Sequence, residues 1–266
     1  MILSPAAGLS ALRRLLIGAP LAAALGLLGC AEEGVRLPPP PPHTNGLALW
    51  TLVHDRCVPD QAQHGSPAPC EAVEIDHGVA RGYVLLKDRV GPAQTLLLPA
   101  ARVTGIEDPR LMASSAPNYF AFAWNARGVV AAKLGRPLPD RALAVTVNSL
   151  WGRSQDQLHL HIDCLSAAAV AGLARWPVAT RWAPLTLAGH PYLVRRLEGP
   201  VLRVDPFRLL AASVRGAGGH MGEWTLALAG DPDGRDLLLI AGHADPAHGV
   251  AGSAEELQDH DCAAGA

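Results

Sequence analysis

Short stretches rich in apolar residues mark strands in the middle of the chain. Residues 83–88, 94–99, 143–148 and 158–164 form four such stretches, and the last of them alternates apolar and polar positions. A short turn joins the first two into an antiparallel hairpin, and a polar turn containing Gly152 lies between the last two. The pattern therefore predicts an antiparallel sheet.

Helical spacing of apolar residues separates these strand pairs. An amphipathic helix is predicted over 117–134, with Gly135 as its stop, and shorter helices over 46–54, 166–173 and 206–214. Further strands are predicted at 192–197, 223–229 and 237–240, an irregular segment at 177–187 and a short terminal segment at 253–262. This order indicates an α+β fold, an antiparallel sheet with helices and an elaborated C-terminal half, in one domain over 46–266.

The stretch 158–164 carries the most informative side chains. Its apolar residues share one face, which can pack on the core. The opposite face is expected to lie outside the core, and it presents Gln157, His159, His161 and Asp163.

This polar face has three interpretations. Two neutral imidazoles with one residue between them can chelate a divalent ion. Alternatively, one imidazole attacks a phosphorus while the second orients it or stabilises charge. In the third interpretation both are surface histidines without a role. The chemistry of these residues alone leaves the three open.

Residues 1–30 have the pattern of an export signal. Arg13 and Arg14 precede an apolar run over 15–29, which is shorter than the roughly 20 residues of a membrane-spanning helix. The run ends in Leu-Leu-Gly-Cys, resembling a bacterial lipobox with Cys30 as the lipidated residue. An uncleaved short anchor and a twin-arginine signal are the alternatives. Each predicts a membrane-attached or exported chain whose remainder lies outside the cytoplasm.

The next segment and the cysteines fit export. Residues 31–45 contain a run of prolines, which predicts a semi-rigid extended spacer. Four cysteines follow, and an even number in an oxidising compartment predicts two disulfides. Of the three pairings we favour Cys57–Cys70 and Cys164–Cys262, with four free thiols as the alternative. The formal net charge of -2 gives no broad field for nucleic acid.

The histidine segment resembles the motif of the histidine-triad superfamily of nucleotide hydrolases and transferases. That motif is His-apolar-His-apolar-His, and its middle histidine is the nucleophile. In this chain His159 takes the middle position and His161 the third, while Gln157 stands where the superfamily has its first histidine. Gly152 and Ser154 precede the motif in the matching order.

A longer resemblance, to the bacterial CDP-diacylglycerol pyrophosphatase family, covers nearly everything after the spacer. It rests on residues 82–84, 87–88, 94–99, 104–107, 117–118, 123–124, 139–141, 148–149, 152–155, 159–162, 189–190, 195–196, 220–222 and 258–260, with Arg127, Tyr192 and the four cysteines.

The resemblance implies hydrolysis of CDP-diacylglycerol to CMP and phosphatidate at a bacterial membrane, without a metal or other cofactor. His159 would attack the cytidine-side phosphorus and His161 would contact the transferred phosphate. The other implied site residues are Asn148 and Ser154 in positioning roles, and Arg153, Gln157, His190 and His220 as substrate contacts.

Two other functions remain open. One is an exported hydrolase of soluble nucleotide diphosphates, and the other is a lipoprotein that binds lipid without catalysis. The sequence does not predict an oligomeric state.

Overall fold

The structure, a computed structural model, describes residues 37–176 and 179–263. The predicted leader, the lipidation residue Cys30 and the first part of the spacer lie outside these ranges. Within them, no helix is both long enough and apolar enough to cross a bilayer.

Across the described ranges, nine strands form one antiparallel sheet in the order β1-β2-β3-β5-β4-β8-β9-β7-β6. Their bounds are β1 Ala72–Glu74, β2 Tyr83–Lys87, β3 Thr95–Pro99, β4 Leu143–Val147, β5 Leu160–Cys164, β6 Ala183–Leu187, β7 His190–Leu197, β8 Trp224–Gly230 and β9 Leu237–His243. The prediction of an α+β chain with an antiparallel sheet is confirmed, and the C-terminal half adds β6 to β9.

Six α-helices flank the sheet within the described residues. They are α1 Ala48–Leu52, α2 Val58–His64, α3 Tyr119–Ala126, α4 Gly128–Leu134, α5 Ala167–Arg175 and α6 Pro206–Ser213. A π-helical turn over Val53–Cys57 joins α1 to α2. The predicted helix at 46–54 therefore continues to His64.

The pattern was wrong at three other places. The single helix predicted over 117–134 is two helices, because the chain turns at Arg127, whose guanidinium binds Asp140 and the Trp124 carbonyl. β1 was not predicted. β6 forms where an irregular segment was predicted, because Ala188 and Gly189 both adopt positive φ, 49° and 84°, and close a tight hairpin with β7. Residues 177 and 178 lie outside the described ranges.

Strand register separates an apolar face from a mixed one. Directly paired residues share a face, so the row Leu85, Leu97 and Leu160 faces one way. The apolar face packs against α3 and α6 through Phe120, Trp124, Phe207 and Leu210.

The opposite face carries two separate apolar clusters. Val53, Val84, Leu96 and Leu98 pack together at the β2–β3 end, and the other cluster includes Leu173, Val194, Ala227, Ile240 and Leu257. Between Leu96 and Ala227 the same row of the sheet carries His161 and Thr146. A polar strip therefore crosses this face between two apolar clusters.

Both predicted disulfides are confirmed. Cys57–Cys70 closes the segment that contains α2, and Cys164–Cys262 joins the end of β5 to the C-terminal segment. The second bond spans 98 residues and brings the C-terminus beside the polar strip.

Candidate active site

A cleft of about 600 Å³ opens over the polar strip. Its polar lining comes from the ends of β2, β4 and β5 and from the turn after β4, and its apolar lining comes from α1, β2 and β3. Its lining includes Leu49, Leu52, Leu86, Lys87, Arg89, Val90, Leu96, Asn148, Arg153, Ser154, Gln155, His159, His161 and Glu255.

The polar face of β5 is buried, so the expectation that it lies outside the core is wrong. Gln157 and Asp163 are 0% exposed, His161 is 5% exposed and His159 is 8% exposed. These side chains are covered because the C-terminal segment and the loop before β5 fold over them. Buried polar groups need partners, and most of these have them.

Gln157 is held by backbone rather than placed in the cleft. Its amide nitrogen donates to the carbonyls of Pro99 and Ala101 at 2.9 and 3.0 Å. Its side-chain oxygen accepts from Arg102 and the Val103 amide. Gln157 is not among the residues lining the cleft, so the predicted substrate contact has no direct geometric support.

His159 lies at the start of β5 with a defined tautomer. Its Nδ1 donates to the carbonyl oxygen of Gln157 at 2.7 Å, which leaves the lone pair on Nε2. Burial, assisted by the neighbouring His161, lowers the pKa of His159 to about 4. The ring is therefore neutral at pH 7, the form that a nucleophilic imidazole requires.

His161 stands two residues further along β5, with its ring centroid 4.9 Å from that of His159. Its Nδ1 lies 3.1 Å from Oε1 of Glu255. Its Nε2 is buried and has no hydrogen-bond partner among the described residues. Because His161 lines the cleft, this nitrogen is available to a ligand.

Glu255 is a site residue that the sequence did not single out. It accepts from His161 and from Gln94 Nε2 through Oε1, and from Asn148 Nδ2 at 2.9 Å through Oε2. Burial works to raise its pKa, but the hydrogen bond and charge of His161, with the two amides, hold that pKa well below its usual range. Glu255 is therefore an anion beside the histidine pair.

The C-terminal segment contacts β5 at several points in addition to the disulfide at Cys164. Besides Glu255 on the His161 ring, Gln258 Nε2 donates to the His161 carbonyl at 3.1 Å. His260 Nδ1 lies 2.8 Å from Asp163 Oδ2. In the sequence, the signals for this arrangement were the predicted Cys164–Cys262 disulfide and the resemblance at 258–260, because a separation of about a hundred residues leaves no local periodicity.

The side chains of Asn148, Ser154 and Arg153 differ in how many hydrogen-bond partners they already have within the protein. Asn148 lines the cleft, but its amide is bonded to Glu255 and Ser253. Ser154 lines the cleft and is exposed, with no side-chain partner among the described residues. Arg153 also lines it, yet its guanidinium is paired with Glu107 and Asp156 at 2.6 and 3.1 Å.

The two remaining predicted contacts lie elsewhere. His190 Nδ1 pairs with Glu256 at 2.8 Å, and His220 Nδ1 pairs with Glu223 at 3.1 Å while its side chain is 66% exposed. Neither lines the cleft. His190 and His220 match family positions in the sequence, but the structure does not place them in this site.

In the part of the chain that the structure describes, no third ligand side chain lies close enough to His159 and His161 to complete a metal site. Over 37–176 and 179–263, the one group of three ligand side chains close enough to share an ion is Asp163, Cys164 and Cys262. Both of those cysteines are in a disulfide.

Comparison with known proteins identifies the family of this chain. The family model described as CDP-diacylglycerol pyrophosphatase matches residues 44–266. A CDP-diacylglycerol pyrophosphatase of Yersinia pestis is 42% identical over 224 residues, which cover 82% of this chain and 85% of that protein. The chain belongs to the CDP-diacylglycerol pyrophosphatase family.

Proposed function

We propose that this chain hydrolyses CDP-diacylglycerol to CMP and phosphatidate, with His159 as a covalent nucleophile. Family membership supports the reaction. The observation that carries the mechanism is the bond from Nδ1 of His159 to the Gln157 carbonyl, which leaves Nε2 as the lone-pair nitrogen of a neutral ring in the cleft.

The reaction has two displacements at one phosphorus. Nε2 of His159 attacks the cytidine-side phosphorus, the bond from that phosphorus to the bridging oxygen breaks, and phosphatidate leaves with that oxygen. Water then attacks the same phosphorus, the phosphorus–nitrogen bond breaks, one water proton is lost and CMP leaves. Two in-line steps of this kind depend chiefly on alignment and charge stabilisation.

His161 and Glu255 supply the charge stabilisation in this proposal. Nδ1 of His161 lies against Glu255, and its buried Nε2, which has no partner among the described residues, contacts a phosphate oxygen of the bound substrate. The free hydroxyl of Ser154 can donate to a second oxygen. Asn148 acts through Glu255 by holding the carboxylate in place.

We also infer that the chain is a histidine-triad-like enzyme attached to the outer face of a bacterial membrane. The order of histidines supports the first inference, with the departure that Gln157 replaces a histidine. The apolar run and lipobox-like end at Cys30 support the second. A lipid substrate fits both.

The decisive experiment traps the intermediate. CDP-diacylglycerol labelled at the cytidine-side phosphorus is mixed with the full chain, quenched in alkali and digested. We expect the label on His159 and none on the variant His159→Asn, which keeps a donor toward Gln157. Because the ring is buried, this variant is preferable to alanine, and circular dichroism checks its fold.

Three measurements separate the rival interpretations. Faster turnover of soluble nucleotide diphosphates than of CDP-diacylglycerol in micelles would replace the lipid assignment. Unchanged CMP release by His159→Asn would refute the nucleophile. Loss of activity on chelation, restored by a divalent ion, would favour the metal interpretation.

A further inference from the structure

The rim of the cleft carries apolar side chains that nothing in the chain covers among the described residues. Val90 lines the cleft and is 45% exposed, and Leu47, between the lining residues Asn45 and Ala48, is 53% exposed. Arg89, beside Val90, is exposed and has no side-chain partner within the described ranges. We call Leu47, Arg89 and Val90 the mouth surface.

Apolar side chains form part of the cleft wall near these residues, beside the polar Thr44, Asn45, Lys87 and Asp88. Leu49 and Leu52 of α1 line it together with Leu86 and Leu96. Gln155 lines it too, but its amide is engaged by the Leu49 backbone N–H and the Asn45 carbonyl. A cytosine edge needs hydrogen-bond partners, whereas a glycerol ester and the first carbons of acyl chains need apolar contact.

The segment leading from the predicted leader is attached at the same rim. Trp151 Nε1 donates to the Pro38 carbonyl at 2.9 Å, and His43 pairs with Asp156 at 3.1 Å. The Asp156 amide donates to the Gly46 carbonyl at 2.6 Å. The chain therefore enters the domain beside the cleft, on the side that carries Leu47.

We propose that the mouth surface docks on a phospholipid bilayer and that the adjoining leucines receive the diacylglycerol end of the substrate. Leu47 and Val90 enter the interfacial region, and Arg89 faces lipid phosphates. The lipid then lies along Leu49 and Leu52 with its diphosphate at His159. This inference rests on the proposed function, since it takes CDP-diacylglycerol as the substrate.

The test uses exposed positions, which can be changed without opening the core. The double variant Leu47→Gln with Val90→Gln is compared with Val201→Gln with Val204→Gln, whose residues are 59% and 40% exposed and do not line the cleft. Both are made in the full chain. Two quantities are measured, the apparent KM for CDP-diacylglycerol in phosphatidylglycerol-containing vesicles and the inhibition constant of CMP.

We expect the mouth variant to raise the apparent KM about tenfold, because two apolar side chains that would enter the bilayer are lost. Its CMP inhibition constant should stay within twofold of the wild-type value, and the control should match the wild type in both. An unchanged KM would overturn the proposal. A parallel rise in KM and CMP inhibition constant would also overturn it, because the wall would then bind the nucleoside. If the wild type releases no CMP at all, the proposed function fails instead.

Discussion

At the scale of single residues, one backbone carbonyl defines the chemistry of His159. The carbonyl of Gln157 accepts the Nδ1 proton, and burial keeps the ring neutral. Gln157 can hold its place because its amide is anchored on the loop after β3. The residue that departs from the histidine-triad pattern therefore still orients the proposed nucleophile, through its backbone and its fixed position.

Replacing Glu255 by glutamine tests the anion beside His161. We expect Glu255→Gln to lower kcat about 100-fold with little change in KM, because a charge that strengthens a phosphate contact in the transition state is lost. The matched control is Glu256→Gln, since Glu256 contacts His190 and Tyr192 at 2.8 and 2.6 Å. That control should stay within a few-fold of the wild type.

A double variant distinguishes positioning from a merely structural effect. If Glu255 acts through His161, adding Glu255→Gln to His161→Gln should cost little more than His161→Gln alone. Fully multiplicative losses would show that Glu255 acts independently of the ring.

The buried neutral His159 also predicts a pH-dependent stability. Its pKa is about 4 in the folded chain against 6.5 ordinarily, so between these pH values the unfolded chain binds the extra proton. The contribution is fully present above about pH 6.5 and falls by up to ~3 kcal/mol as the pH drops to about 4. Urea unfolding of the wild type and His159→Asn at several pH values measures it. Identical pH dependence in the two proteins would contradict the assignment.

At the scale of elements, the C-terminal segment completes the site on β5. A short 3-10 helix, Ala254–Leu257, carries Glu255, and the residues after it contact β5 and end in the disulfide to Cys164. The site is therefore assembled from strands near the middle of the chain and a segment at its end.

Removing the two disulfides separately tests this assembly. Cys164→Ser with Cys262→Ser should lower the free energy of unfolding more than Cys57→Ser with Cys70→Ser, by ~4.7 against ~3 kcal/mol if the loop-closure account holds. The first pair should also reduce kcat at least tenfold, because Glu255 loses its tether, while the second changes kcat by a few-fold at most. Denaturant titration and CMP release measure the two effects. Equal losses of kcat would contradict the role of the C-terminal segment.

At the scale of the whole molecule, the predicted leader and the cleft are consistent with a lipid substrate. The segment from 37 to 46 lies against the rim of the cleft, so the described chain enters the domain beside the mouth surface. The apolar wall and the polar strip then match the two ends of an amphiphilic substrate.

Cys30→Ala tests how the chain is attached. If Cys30 is lipidated, we expect the wild type in the membrane fraction of the expressing bacterium and the variant largely outside it, since processing at a lipobox requires the cysteine. Cell fractionation with immunoblotting measures the distribution. Equal retention of both proteins would favour an uncleaved anchor.

The sequence predicted much of the sheet but not the way its polar face is used. Strands β2 to β5 and β7 to β9 lie in short apolar stretches that can be recognised within a few residues, and the cysteine pairing was also confirmed. β6 was not predicted because its hairpin depends on a left-handed conformation at Ala188, and an alanine in the sequence does not predict that conformation. The burial of Asp163 was missed because the residues that cover it come from the end of the chain.

By itself, the sequence determined the antiparallel strands and the histidine pair on one face of β5, because both depend on spacing along a short stretch. It also determined the family resemblance, because that depends on the order of residues along the chain. Only the tertiary structure decided which groups meet that face. It placed Glu255 and Gln258 over β5, turned Gln157 away from the cleft and left His190 and His220 outside it. Such contacts join residues about a hundred positions apart, and no local periodicity encodes them.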